Sequence, residues 1–246
     1  MKLVLLGTGG YYANDRRQTA CLMLPEIGVV LDAGSAMFRV GEYLATERLD
    51  IFLTHAHLDH VIGLTHLLDL LPADVLAATT VHGRPEKLAA VREHLFAEPL
   101  FPVSPPFRFE QLKNGCPLPS GGRLSCFPLS HPGGSLGFRL DWPNRSLAYV
   151  TDTTAAPDAA YLDQIRGVNV LVHEAYFDED TRGRAELTGH SSLPNVARLA
   201  ARAQVGRLVL VHVNPQLPRD EEIDVGRAKS IFNNIQLGRD RMELEF

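Results

Sequence analysis

Residues 52–64, FLTHAHLDHVIGL, place His55, His57, Asp59 and His60 within six positions directly after an apolar run. Neutral imidazoles and a carboxylate are ligands for zinc, iron or manganese. At positions i, i+2, i+4 and i+5, the first two project to one side of a continuing strand, while a turn beyond brings the others round. A single histidine of this kind is ordinarily a solvated turn residue or one satisfied in the core. Four donors this close suit cations better, and they are enough to contribute to two adjacent metal sites. More ligands are then expected at other strand ends. His131 follows CFPLS, Asp152 follows LAYVT and His212 follows RLVLV, each directly after an apolar run. Of the ten histidines, His66, His82, His94, His173 and His190 remain, and spacing alone leaves them as surface or core residues.

The elements that must hold these donors are mostly strands in the first sixty residues. KLVLLGTGG reads as a buried strand ending in a glycine turn, TACLMLPEIGVVLDAG as two strands about a turn, and LDIFLTHAH as a strand running into the cluster. Ile62, Leu64, Leu67, Leu68 and Leu71 predict a helix stopped by Pro72, and RPEKLAAVREHLF predicts another with a proline entry. The second half repeats the arrangement. VNVLVHEAYF is a strand, residues 178–189 a polar loop, SLPNVARLAARAQ a helix, RLVLVHV a strand and GRAKSIFNN a terminal helix. Residues 97–122, rich in proline and glycine, read as a surface loop beside the pocket. The pattern predicts two sheets packed face to face with helices outside, and residues 1–246 as one domain.

Composition excludes several classes. The 246 residues are 45% hydrophobic with a net charge of −5, which argues against a broad nucleic-acid footprint. The N-terminal apolar run ends at Gly7, too short for a signal peptide or a spanning helix. Cys21, Cys116 and Cys126 are odd in number and lack C-x-x-C spacing, so a reducing cytoplasm is expected.

HAHLDH matches the H-x-H-x-D-H signature, and from LLGTGG to MELEF the chain resembles the metallo-β-lactamase superfamily. The resemblance implies an α+β fold, a four-layer αβ/βα sandwich with two divalent metals at the strand ends. Carried over residue by residue, His55, His57 and His131 bind one metal, Asp59, His60 and His212 the other, and Asp152 bridges them. Asp32 of LDAG would brace this shell, or simply turn the strand end. Zinc is the first expectation, with manganese or iron as alternatives.

LLGTGG, RRQTACLML, VHGRP, SLGFRL, LAYVTDT, LVHEAYF and GHSS occur in the order seen in ribonuclease Z and its phosphodiesterase relatives. That branch implies a catalytic role for His190, supported by Glu174, in protonating a leaving alkoxide, and for Asp59 in orienting the attacking hydroxide. The competing reading makes His190 a helix cap. Two divalent ions set against Asp59, Asp152 and a hydroxide leave net positive charge, which suits a phosphodiester monoanion.

Two departures shape the substrate expectation. Only 21 positions separate His131 from Asp152, room for one hairpin, where ribonuclease Z carries its tRNA-gripping arm. A small anionic phosphodiester is therefore expected rather than tRNA. After His212 the chain reads VNPQLP, which is similar to the pyrroloquinoline-quinone biosynthesis B branch. A thioesterase or lactonase acting on acyl esters, and a non-hydrolytic cofactor-biosynthesis protein, are the rival readings. Arg16, Arg17, Arg182 and Arg184 are candidate phosphate clamps set against ordinary solvated arginines. GTGGYY lacks the third glycine of a dinucleotide loop and is better explained as a turn feeding the metal site. Dimerisation, common in the resembling proteins, would let a second subunit complete the substrate surface.

Overall fold

Runs such as LVLL, CLML and LVLV carry apolar residues at successive positions, which requires burial on both faces of a sheet. The computed structural model describes residues 1–178, 182–218 and 223–246, with Arg182 described by its backbone alone. Its strands are β1 (Lys2–Gly7), β2 (Cys21–Leu24), β3 (Val29–Leu31), β4 (Asp50–Phe52), β5 (Thr80–Gly83), β6 (Arg108–Gln111), β7 (Cys116–Leu118) and β8 (Gly122–Leu129). There follow β9 (Ser135–Trp142), β10 (Arg145–Val150), β11 (Val170–Glu174), β12 (Arg207–Val211), β13 (Ile235–Leu237) and β14 (Met242–Glu245). They form two seven-stranded sheets, ordered β14-β1-β2-β3-β4-β5-β6 and β13-β12-β11-β10-β9-β8-β7. Each sheet is mixed, parallel from β3 to β6 in the first and from β10 to β13 in the second. The class is α+β, as the sequence predicts.

The chain divides into two units, Met1–Lys113 with Asp240–Glu245, and Asn114–Arg239 with Phe246. In the first, Val4, Leu6, Cys21, Met23, Val30 and Ile51 form one core cluster with Met37, Leu64, Leu67 and Leu88 from the helical segments. The alternating residues Leu3, Leu5, Leu22, Leu31 and Phe52 point to the opposite face and are equally buried. In the second, Ala148, Val150, Leu171, Leu208 and Leu210 pack with Val196, Leu199 and Ala200. Those three lie on the helix Leu193–Ala203, whose buried positions recur at helical spacing and which ends at Gln204 in the left-handed region.

The helix expected over residues 62–71 is instead three short pieces, Leu58–Val61, Ile62–His66 and Leu67–Leu70. The backbone of Ala33 accounts for the break. Its N–H bonds the His60 carbonyl and its carbonyl accepts the Gly63 N–H, diverting groups that a continuous helix needs. A side chain at Gly63 would begin 2.1 Å from the Gly34 carbonyl, so only glycine permits this approach. The polar segment 178–189 contains a helix, Arg182–Thr188, and the expected terminal helix is the single turn Val225–Ala228. Residues 97–122 include β6 and β7 and so are only partly a loop.

Candidate metal centre

In the first unit, the parallel pairing of β3 with β4 places Leu31 opposite Phe52 and brings the following residues to one end of the sheet. There Asp32 adopts φ 60°, a left-handed backbone that non-glycine residues rarely take. Its buried carboxylate accepts the Thr54 N–H at 2.8 Å, the Thr54 hydroxyl at 2.9 Å and His60 Nδ1 at 2.8 Å. The Thr54 proton is thus committed to Asp32, so Thr54 Oγ1 accepts from His55 Nδ1 at 3.0 Å. Both rings carry their proton on Nδ1 by this reasoning, which turns the Nε2 lone pairs of His55 and His60 outward as ligand atoms. The His55 ring lies 4.4 Å from that of His57 and 4.3 Å from that of His60. Asp59 Oδ2 is 3.4 Å from His60 Nε2 and accepts the Tyr11 N–H at 2.9 Å. Tyr11 itself has φ 62°.

In the second unit, parallel β10, β11 and β12 deliver Asp152, Glu174 and His212 to the same end of their sheet. Asp152 and His212 have φ 52° and 54°, so strained backbone recurs where donors leave the strands. His131 donates Nδ1–H to the Gly189 carbonyl at 3.0 Å. A Cβ at Gly189, whose φ is 70°, would meet His131 Nδ1 at 2.9 Å, so glycine is needed there. Burial lowers the His131 pKa although Asp152 opposes it, which favours the neutral, ligating imidazole. His131 Nε2 then faces Asp152 Oδ1 at 3.5 Å, and His212 Nε2 lies 3.4 Å from Asp152 Oδ2. Each carboxylate oxygen is thus matched to a different imidazole, an arrangement that a carboxylate shared by two cations requires.

Glu174, fully buried, accepts the Thr153 N–H at 2.7 Å, the Ser191 N–H at 3.2 Å and His190 Nδ1 at 3.2 Å. The His190 ring stacks on Tyr176 at 4.5 Å and lies 5.3 Å from the His212 ring. Ligand atoms of Asp152, His190 and His212 fall within 4.8 Å of one another. The capping alternative for His190 fails, because Ser192 occupies the cap position of the helix Leu193–Ala203.

The donor types fit divalent metals in both units: imidazoles, with Nδ1 held in His55, His60 and His131, and carboxylates against Nε2 atoms. Spacing did not reveal Thr54, Tyr11, Thr153, Ser191 or Tyr176, which orient the donors. Their one signal is adjacency in sequence to a donor for Thr54, Thr153 and Ser191, and to the glycine turn for Tyr11; Tyr176, two positions after Glu174, has none. The arginine candidates divide. Arg17 is buried and bonds Thr8 Oγ1, whose N–H and hydroxyl go to Asp240, so it ties down the glycine loop. Arg16 is partly exposed, and Arg184 lies over the Phe177 ring at 5.2 Å. The Arg182 side chain lies outside the described residues.

The sequence profile of the beta-lactamase superfamily domain matches residues 29–213, most of the chain. The chain belongs to the beta-lactamase superfamily. Within it the sequence is ribonuclease Z-like. It is 25% identical to ribonuclease Z of Methanosarcina acetivorans over 310 aligned positions, covering 100% of this chain and 98% of that protein. The fold is similar to that of the short form of human tRNase Z, with TM-score 0.76, 20% identity and coverage of 100% and 99% of the two chains. It is also similar to that of a diphosphatase of the PhnP family, with TM-score 0.75, 21% identity and coverage of 100% and 97%.

Proposed function

We propose that the donors of the two units together hold two divalent metal ions, zinc first and manganese or iron as alternatives, and that this centre cleaves a small phosphodiester. His55, His57 and His131 serve one ion, Asp59, His60 and His212 the other, and Asp152 both. The chain is a hydrolase acting on phosphodiester bonds. The observation that carries the reading is His190: its Nδ1 is held by the buried Glu174 while its ligand atom lies within 4.8 Å of those of Asp152 and His212.

Bound metals would supply Lewis acidity toward a water and a phosphoryl oxygen. Asp59, held by the Tyr11 amide, orients the attacking water as a hydrogen-bond acceptor. His190 carries a proton on Nε2 to the departing alkoxide, and Glu174 takes the Nδ1 hydrogen bond that keeps the ring aligned and stabilises its charged form. Two backbone amides fix Glu174 in turn, so the acid's orientation is set before substrate arrives.

A small substrate is favoured over tRNA by the segment after His131. β9 and β10 pair from Trp142 with Arg145 onward, leaving only Pro143 and Asn144 in the turn. Against 246 residues, the 310 aligned positions of the Methanosarcina ribonuclease Z leave at least 64 without a counterpart here. The test is hydrolysis of bis(p-nitrophenyl) phosphate by zinc- or manganese-loaded protein, beside a metal-free control and His190→Ala. Metal-dependent turnover that falls about a hundredfold in the variant is expected for loss of a general acid. Metal demonstrably bound without turnover, or a variant as active as the parent, overturns the reading and turns attention to acyl esters.

A further inference from the structure

The positions of HAHLDH that carry no ligand atom are Ala56 and Leu58. Both face a cavity of about 360 Å³ within the first unit, whose other walls include Ile62, Val91, Leu95 and Leu100. The same six-residue stretch therefore alternates candidate metal donors with the floor of an apolar pocket. The far wall is unusual backbone. The helix Pro85–Ala90 passes into a π-helical turn, Val91–Leu95, and that turn supplies Val91, His94 and Leu95 to the lining. A widened turn costs hydrogen-bond geometry and recurs at functional sites. Leu58 is 68% exposed and Leu100 76% exposed, so large apolar side chains at the rim meet water when the cavity is empty of ligand.

We infer that this pocket binds a hydrocarbon arm of the substrate, so that the ester cleaved at the neighbouring donors carries an alkyl or aryl group. The inference rests on the phosphodiesterase reading and names its substrate class. The cavity lies within the range of small-molecule sites. Its lining decides against a nucleobase. Among the described residues His94 is the only titratable or hydrogen-bonding side chain on the wall, whereas a base brings several edge donors and acceptors that would lose water without replacement. Apart from His94, no aromatic side chain among the described residues lines it for stacking. A hydrocarbon brings no polar group to desolvate, and each buried methylene should contribute roughly fourfold in affinity.

The test compares kcat/KM of the metal-loaded protein for methyl, n-hexyl and thymidine 5′-yl p-nitrophenyl phosphates. The hexyl ester is expected to exceed the methyl ester by more than about tenfold, with only a few of its methylenes buried. That ratio should fall in Ala90→Trp, which fills the cavity, and in Leu100→Ser, an exposed position where folding is not at stake. Methyl-labelled NMR of the metal-free protein supplies a readout independent of turnover: n-hexyl phosphate should shift the Leu58, Leu95 and Leu100 methyl signals, and Ala90→Trp should abolish the shifts. If the methyl ester is cleaved, the hexyl ester is not preferred and no signals move, the pocket assignment is wrong and the phosphodiesterase reading survives. If no phosphodiester is cleaved but the shifts occur and Ala90→Trp removes them, the pocket stands and the reaction assignment falls. Preference for the thymidine ester overturns the inference in favour of a base.

Discussion

The two units reach similar donor chemistry by different routes. In the first, His55, His57, Asp59 and His60 lie within six residues, and one buried carboxylate, Asp32, orients His60 directly and His55 through Thr54. In the second, His131, Asp152, Glu174, His190 and His212 are scattered over some eighty residues, and parallel strand ends gather three of them. There much of the bracing comes from backbone: the Gly189 carbonyl on His131, and the Thr153 and Ser191 amides on Glu174, whose carboxylate in turn holds His190. A side-chain brace can be removed by one mutation without moving the chain. A backbone brace changes only if the loop itself changes, so the units should respond differently to substitution.

The largest effect should come from the shared carboxylate. Asp152→Ala removes the group that meets both His131 and His212, and metal content after dialysis, read by atomic emission, should fall by one ion or more per chain. Retention of full metal content would mean that Asp152 is not a ligand. Next, Asp32→Asn should weaken metal affinity about 10- to 100-fold, the range for residues that orient ligands. Glu174→Gln should leave metal affinity nearly intact while lowering kcat. Equal losses of metal in these two variants would erase the distinction between the units' braces.

Away from the donors the expected effects are smaller. His173 is buried beside Glu174, its Nε2 at 2.9 Å from the Tyr161 hydroxyl and its Nδ1 at 2.7 Å from the Glu174 carbonyl. Burial lowers its pKa, so the ring is neutral and needs a partner at each nitrogen. Tyr161→Phe should therefore cost about 1–3 kcal/mol, measured by urea unfolding. An unchanged midpoint would show that this buried pair does not support the β11 end.

At the opposite end of β4, burial would raise the Asp50 carboxyl, but hydrogen bonds from His82 and Arg48 outweigh it and hold the pKa below the ordinary value. A depressed folded value stabilises the protein above the unfolded pKa of about 3.9 and is lost as pH falls through the folded one. Asp50→Asn should flatten that acid limb of the stability profile slightly. A limb as steep as the parent's would assign the acid sensitivity elsewhere.

Legibility in the sequence followed the same division. The first unit's candidate donors stand out in the sequence because one strand and one turn place them within six residues, where local geometry is nearly the whole of the arrangement. His131, Asp152 and His212 were readable only as polar residues ending apolar runs, and Glu174 and His190 only through the family resemblance. The broken helix after His60 was not readable, since the hydrophobic spacing suits a continuous one; contacts to Ala33, twenty-seven positions earlier, interrupt it. Arg17 read as a clamp candidate or a solvated arginine, and its burial against Thr8, which spacing does not show, ties it to the loop.

By itself, then, the amino-acid order determined the donor types, the apolar strands that carry them and the absence of room for a long arm between His131 and Asp152. Only tertiary structure decided which nitrogen of His60 and of His131 is turned outward, because the group that holds the other nitrogen, Asp32 or the Gly189 carbonyl, lies on a different strand or loop. It also decided that Ala56 and Leu58 floor a cavity, because the opposite wall comes from a π-helical turn more than thirty residues away in the chain. Hydrogen-bond direction and cavity shape depend on positions in space, and spacing along the chain constrains them only within a single local element.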